Sequence, residues 1–270
     1  MEKQKYDKCI PDDFWKMTLE DCYAKNYLDA YSILARGFWC CENKPKEGKL
    51  LLTGINPSYN RTLKKLTTPF ADLEGGFWEK KKEQFGELWN DDTMSYLDLF
   101  PIRESDQRHF EQSFDNNEHV RSIRGNILKV TQDAIEEMKP LLIVHANKDS
   151  LYYWGIKKNT PAGDDANDYE HPWMGYKVKR VTLETYPDLP PCMLQDDRLS
   201  LFPLYEIVGF VDSDKRINHI ERQETNLKFI MEYVIDDRNP KYKGKLYQQN
   251  QEKKEWDKIW EWVKKQSPAD

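Results

Sequence analysis

Residues 49–60 read KLLLTGINPSYN, and the fold turns on how they are understood. Leu50, Leu51 and Leu52 form a short continuous apolar run, as expected of a strand covered on both faces. Thr53, Gly54 and Ile55 carry the strand on. Pro57 then ends it, because proline has no N–H for a ladder and its φ is fixed. Between them stands Asn56, whose carboxamide has two readings. It either caps neighbouring backbone groups, as turn asparagines do, or it holds a ligand.

Working outward, strand-like and helix-like segments alternate. Phe14, Met17, Leu19, Tyr23, Tyr27, Leu28, Tyr31 and Leu34 predict one or two helices over 13–38. Residues 42–49 read as a turn or loop, 75–89 as a helix and 95–102 as a strand. Helix periodicity over 121–140 is closed by Pro140. A buried strand passing into a helix is expected over 140–155, and strands over 176–184 and 205–213. The stretch 224–236 reads as a helix, 237–251 as a linker and 252–266 as a terminal helix. Trp256, Ile259, Trp260 and Val263 share one face of that last helix, which is expected to dock on the body.

This alternation implies an α/β fold with a mostly parallel sheet. One domain is expected over 1–236, with its core at 48–236 and a helical extension at 1–45, followed by a linker and amphipathic helix over 237–270. Ligands of such sheets bind at the carboxyl ends of strands. The candidate ends are TGINPSYN (53–60), DLFPIRES (98–105), VHANKDS (144–150) and FVDSDKRINH (210–219).

The composition sets limits on function. With 41 basic and 47 acidic residues the formal net charge is −6, which is not the footprint of a protein that grips nucleic acid by overall charge. Local basic groups, Arg61, Lys64, Lys65 and Lys80–Lys82, follow the Asn-Pro turn. No apolar stretch approaches the roughly 20 residues of a membrane span, and the first fifteen residues lack the apolar segment of a secretory signal. The five cysteines, Cys9, Cys22, Cys40, Cys41 and Cys192, are odd in number and irregularly spaced. Reduced thiols in a cytoplasm are therefore expected; a monomer is expected too, though not from the cysteines. His145 and His171 lack ligand spacing, so no metal is assigned.

The Gly54–Ser58 sequence GINPS resembles the first motif of the uracil-DNA glycosylase superfamily, and most closely that of mismatch-specific uracil/thymine-DNA glycosylases, where it reads Gly-Ile-Asn-Pro-Gly. Two further matches keep register with it. Pro69–Phe70–Ala71 corresponds to a Pro-Phe-Ala stretch, and Phe77–Trp78 follows Phe70 by seven residues, the family's interval. The resemblance covers about 48–236 and implies a three-layer α/β/α fold around a mostly parallel four-stranded sheet. It departs at the second motif. His-Pro-Ser or Asn-Pro-Ser is absent, and Asp212–Ser213–Asp214, with His219 seven residues after Asp212, stand in its place. Ser58 replaces the motif's last glycine, and Gly75 an asparagine. The four cysteines of the family's cluster-bearing members are not supplied, so no cofactor is expected.

The resemblance implies roles for these residues. Hydrolysis of a nucleotide's N-glycosidic bond needs a held water, stabilisation of the departing base and exclusion of solvent. Asn56 would orient the water, Gly54, Ile55, Pro57 and Ser58 would shape the pocket, and Phe70 would stack on an extrahelical base. Asp212 or His219 would stand in for the second motif. Asp98 stands where relatives carry asparagine. An ionised carboxylate only accepts hydrogen bonds, so Asp98 would favour a base edge with donors. Without the resemblance, Phe70, Phe77 and Trp78 read as core residues, Asp98 as a solvent-facing or capping group, and 212–219 as an ordinary loop. Two functions are expected from this balance: a DNA glycosylase acting on damaged or mismatched bases, or a diverged member binding nucleotide, nucleic acid or protein without catalysis.

Overall fold

The computed structural model describes residues 3–43, 47–60, 67–146, 150–157, 160, 163–168, 170, 173–193, 203–212, 222–232 and 246–266. In chain order the helices are α1 (Lys3–Asp7), α2 (Leu19–Ala24), α3 (Leu28–Leu34), α4 (Gly76–Phe85), α5 (Gln107–Asp115), α6 (Glu118–Met138), α7 (Leu151–Trp154) and α8 (Leu246–Lys265). The strands are β1 (Cys40–Glu42), β2 (Leu50–Gly54), β3 (Thr67–Pro69), β4 (Met94–Asp98), β5 (Leu142–His145), β6 (Tyr176–Arg180), β7 (Leu204–Phe210) and β8 (Phe229–Glu232).

The central sheet has the order β4-β2-β5-β8-β7-β6. Its first four strands are mutually parallel, whereas β7 runs antiparallel to both β8 and β6. The sheet is thus mostly parallel and flanked by helices, with six strands rather than four. Side chains alternate across it. Leu51, Ile143 and Ile230 join the core on the α6 side, and Leu50, Leu52, Val144, Phe229 and Met231 join the core that includes α8. Burial on both faces is why β2 reads as an unbroken apolar run.

That same two-sided burial hid β8. The Phe229–Met231 run within 224–236 was expected to be helical, but it fills the sheet between β5 and β7. A short apolar run buried on both faces carries no period of its own. β1 and β3 also went unforeseen. They pair in parallel beside the sheet, with Pro69 opposite Glu42.

Tyr6 in α1 and the tryptophans of α8 are built into the body. Tyr6 is fully buried and its hydroxyl meets Thr131 Oγ1 on α6 at 3.0 Å. The expected α8 face docks, with Trp256, Ile259, Trp260 and Val263 buried and Trp256 4.4 Å from Phe85 between ring centroids; Trp262, outside that expectation, also packs 5.3 Å from Phe229. α6 ends on Lys139 in the left-handed conformation at φ 43°, just before Pro140. No helix among the described residues is long and apolar enough to cross a membrane.

Candidate functional site

The β2 and β4 ladder does not stop where the strands stop. Leu99 N–H donates to Gly54 O at 2.9 Å, Phe100 N–H to Ile55 O at 2.8 Å, and Glu104 N–H to Pro57 O at 3.1 Å. The turn after β2 and the loop after β4 therefore run side by side as one paired platform. In the parallel part of the sheet the chain steps from β2 out to β4 and then back across to β5. The platform therefore adjoins the point where strand order reverses, the usual place for a ligand in such sheets.

Asn56 joins the two loops. Its Nδ2 donates to Glu104 O at 2.6 Å and Ile102 O at 3.3 Å, with Pro57 O at 3.4 Å. Its Oδ1 is buried and has no hydrogen-bond partner among the described residues. Both readings of Asn56 are thereby visible in one side chain: the donors cap backbone carbonyls, and the acceptor is left over. An unpaired buried acceptor is costly and calls for an explanation.

Glu104 fixes the other side of the platform. Its carboxylate accepts from Arg36 Nη1 at 2.6 Å, from the Ser105 and Asp106 amides at 2.7 and 3.0 Å, and lies 3.2 Å from His109 Nδ1. Burial pushes its pKa up, but the Asp106 amide, Arg36 and His109 outweigh that and hold it below the usual range. Ser105 Oγ donates to Tyr59 O at 3.1 Å and accepts from Tyr59 N–H at 3.0 Å, closing the turn onto the loop. Asp106 then caps α5 through the amides of Arg108 and His109.

Asp98 ends β4 opposite Gly54. It is buried, not solvent-facing or capping. Tyr96 Oη donates to its Oδ1 at 2.5 Å, while Oδ2 is buried without a partner among the described residues. Burial pushes the Asp98 pKa up to about 7, against a smaller downward pull from Tyr96. A carboxyl group in that range is partly neutral at neutral pH and can donate as well as accept, which widens the edge it can face beyond the donor-only expectation.

The remaining residues of the motif are placed as follows. Ile55 is buried, Pro57 half-buried and Ser58 exposed. Phe70 is 1% exposed, and its ring stacks on Trp89 at 4.8 Å and 25°. It is packed rather than presented to a base, because β3 delivers it to the aromatic cluster beside β4. Trp78 sits in the same cluster, edge-on to Tyr96 at 4.6 Å. Phe77, expected in the core, is 47% exposed.

Asp212 does not join this site. β7 runs against β8, so its carboxyl end points to the opposite end of the sheet from Asn56. From the register across Leu204, Met231, Val144 and Leu52, the separation along the strands is about 40 Å. Asp212 is exposed there. The sequence shows where β7 ends but not which way it runs, and only a parallel strand would have put Asp212 beside Asn56. His219 lies outside the described residues, as do Ser213, Asp214 and His171.

Sequence reasoning missed Arg36, Glu104 and Tyr96. The clue for Tyr96 and Asp98 was their i, i+2 spacing on one strand face; nothing local marked Arg36. It also passed over a buried trio at the ends of β2 and β5, where His145 Nδ1 lies 2.8 Å from Thr53 Oγ1 and 2.9 Å from Ser150 Oγ. Burial drives the His145 pKa down to about 3, so it is neutral. Among the described residues no group of His, Cys, Asp or Glu is disposed to hold a metal ion. Comparison with family models, curated proteins and solved structures gave no match to this chain.

Proposed function

We propose that this chain is a glycosylase-like hydrolase that acts on the N-glycosidic bond of a damaged or mismatched base in DNA, at the carboxyl ends of β2 and β4. The observation that carries the reading is Asn56: its amide donors are anchored on Ile102 and Glu104 while its Oδ1 is left unpaired. An anchored neutral amide is suited to orient a water without deprotonating it, so rate enhancement rests on position and on the leaving base. Water oxygen attacks the anomeric carbon, the bond to the base nitrogen breaks with its electron pair leaving on the base, and the proton that the attacking water gives up ends on the departed base. Asp98, one strand over, has an unpaired Oδ2 and a neutral fraction near pH 7, and so is suited to donate to an acceptor on that base. The GINPS, Pro-Phe-Ala and Phe-Trp matches support the same reading.

A second reading, a diverged binder without catalysis, is favoured by Phe70, whose ring is stacked on Trp89 instead of standing free. The test is a cleavage assay on labelled single- and double-stranded DNA containing uracil, thymine mismatches, hypoxanthine or xanthine, followed by alkali. Strand breaks that vanish in Asn56→Ala are expected. No breaks on any substrate, with no DNA binding at low salt, would leave only the binder.

A further inference from the structure

We infer that Arg36 is a positioning residue for Asn56, so that the amino-terminal segment outside the glycosylase resemblance completes the site. This rests on the role of Asn56 proposed above.

Arg36 follows α3 and reaches both loops of the platform. Its Nη1 donates to Glu104 Oε2 at 2.6 Å and to Arg103 O at 3.1 Å. Its guanidinium carbon lies 4.4 Å from the centroid of Tyr59, in the turn that carries Asn56. Arg103 adds a second guanidinium 5.2 Å from the same ring and donates to Asn60 O at 3.0 Å. The two carbonyls that receive the Asn56 amide belong to Ile102 and Glu104, the neighbours of Arg103. The segment 102–104 is thus held by Asn56 on one side and by Arg36 on the other.

Two further contacts tie the same segment to the amino-terminal part of the chain. Phe38 bridges to Ile102, and Trp39 N–H donates to Pro101 O at 2.8 Å. An exposed ion pair would contribute little, but the Glu104 side chain is only 9% exposed and its carboxylate is already fixed by two backbone amides. Releasing Arg36 therefore removes a largely buried restraint on the loop, not merely a surface contact. Lysine cannot replace it fully: an ammonium could reach Glu104 and the Arg103 carbonyl as Nη1 does, but it lacks the planar guanidinium that lies over Tyr59 at the same time.

The experiment compares wild type, Arg36→Met, Arg36→Gln and Arg36→Lys in the full chain, each checked for a cooperative melt. Proton exchange of the Asn56 side-chain amide is followed by NMR, and turnover on uracil-containing single-stranded DNA is measured in parallel. In Arg36→Met or, should that variant not melt cooperatively, in Arg36→Gln, amide exchange is expected to quicken about 10-fold or more. The kcat is expected to fall roughly 10–100-fold at a KM changed less than about 3-fold, with Arg36→Lys intermediate in both. An Asn56 amide that exchanges as in wild type in the uncharged variants overturns the inference, whatever the activity. A faster amide in a protein whose wild type cleaves nothing keeps Arg36 as the positioning residue and removes the glycosylase reading instead.

Discussion

Asp98 and Glu104 are carboxylates six residues apart on one strand and its loop, and they live in opposite environments. Glu104 receives two backbone amides and an arginine, and its pKa is lowered despite burial. Asp98 receives one phenol, and burial lifts it to about 7. The contrast teaches how the site divides its labour. A carboxylate whose lone pairs are filled is a fixed charge that organises backbone, whereas one left with an unpaired oxygen is a group whose protonation can change and whose remaining oxygen can meet a ligand.

The sharpest test of that contrast is pH. Asp98 has its folded pKa raised from 3.8 to about 7. The unfolded chain therefore loses the proton first, and the stability this group contributes is full below pH 4 and is lost as pH rises to about 7. The difference corresponds to about 4 kcal/mol. Asp98→Asn should remove that slope in urea unfolding followed from pH 4 to 8; an unchanged slope would mean that Asp98 is not the buried acid. Glu104 carries the opposite sign. Its lowered pKa gives stability that is present above the ordinary 4.5 and lost as pH falls. Glu104→Gln is expected to cost about 3 kcal/mol at pH 7, because Arg36 and two amides lose a charged acceptor; a cost below 1 would make the pair a surface contact.

Smaller effects refine the comparison. Tyr96→Phe removes the hydroxyl that donates to Asp98 Oδ1, costing about 1–2 kcal/mol, and should lift the Asp98 titration further in carboxyl-carbon NMR. A downward move would show that another donor governs Asp98. His109 is 40% exposed beside Glu104, so His109→Ala should cost less than about 1 kcal/mol in the same unfolding experiment.

Legibility in the sequence followed locality. The β2 strand, its stop at Pro57 and the docking face of α8 could be read because each depends on residues close along the chain. Tyr96 and Asp98 sit on one strand face by simple alternation, yet nothing nearby told that the face is dry, so Asp98 read as a solvent-facing or capping group. β8 was missed since Leu227, Phe229, Ile230 and Met231 point to two cores at once and erase the period that marks a strand. Phe70 was readable as an aromatic in a motif, but its partner Trp89 comes from nineteen residues further on.

By itself the sequence determined the alternating α/β order and the position of the Asn-Pro turn at a strand end, because backbone restrictions and apolar periodicity act over a few residues. Tertiary structure decided the rest. The direction of β7 carried Asp212 away from Asn56, and the crossing of Arg36 from the amino-terminal segment to Glu104 built the platform's support. Strand direction and long-range ion pairing are set by packing between segments far apart in the chain, where local spacing carries no information.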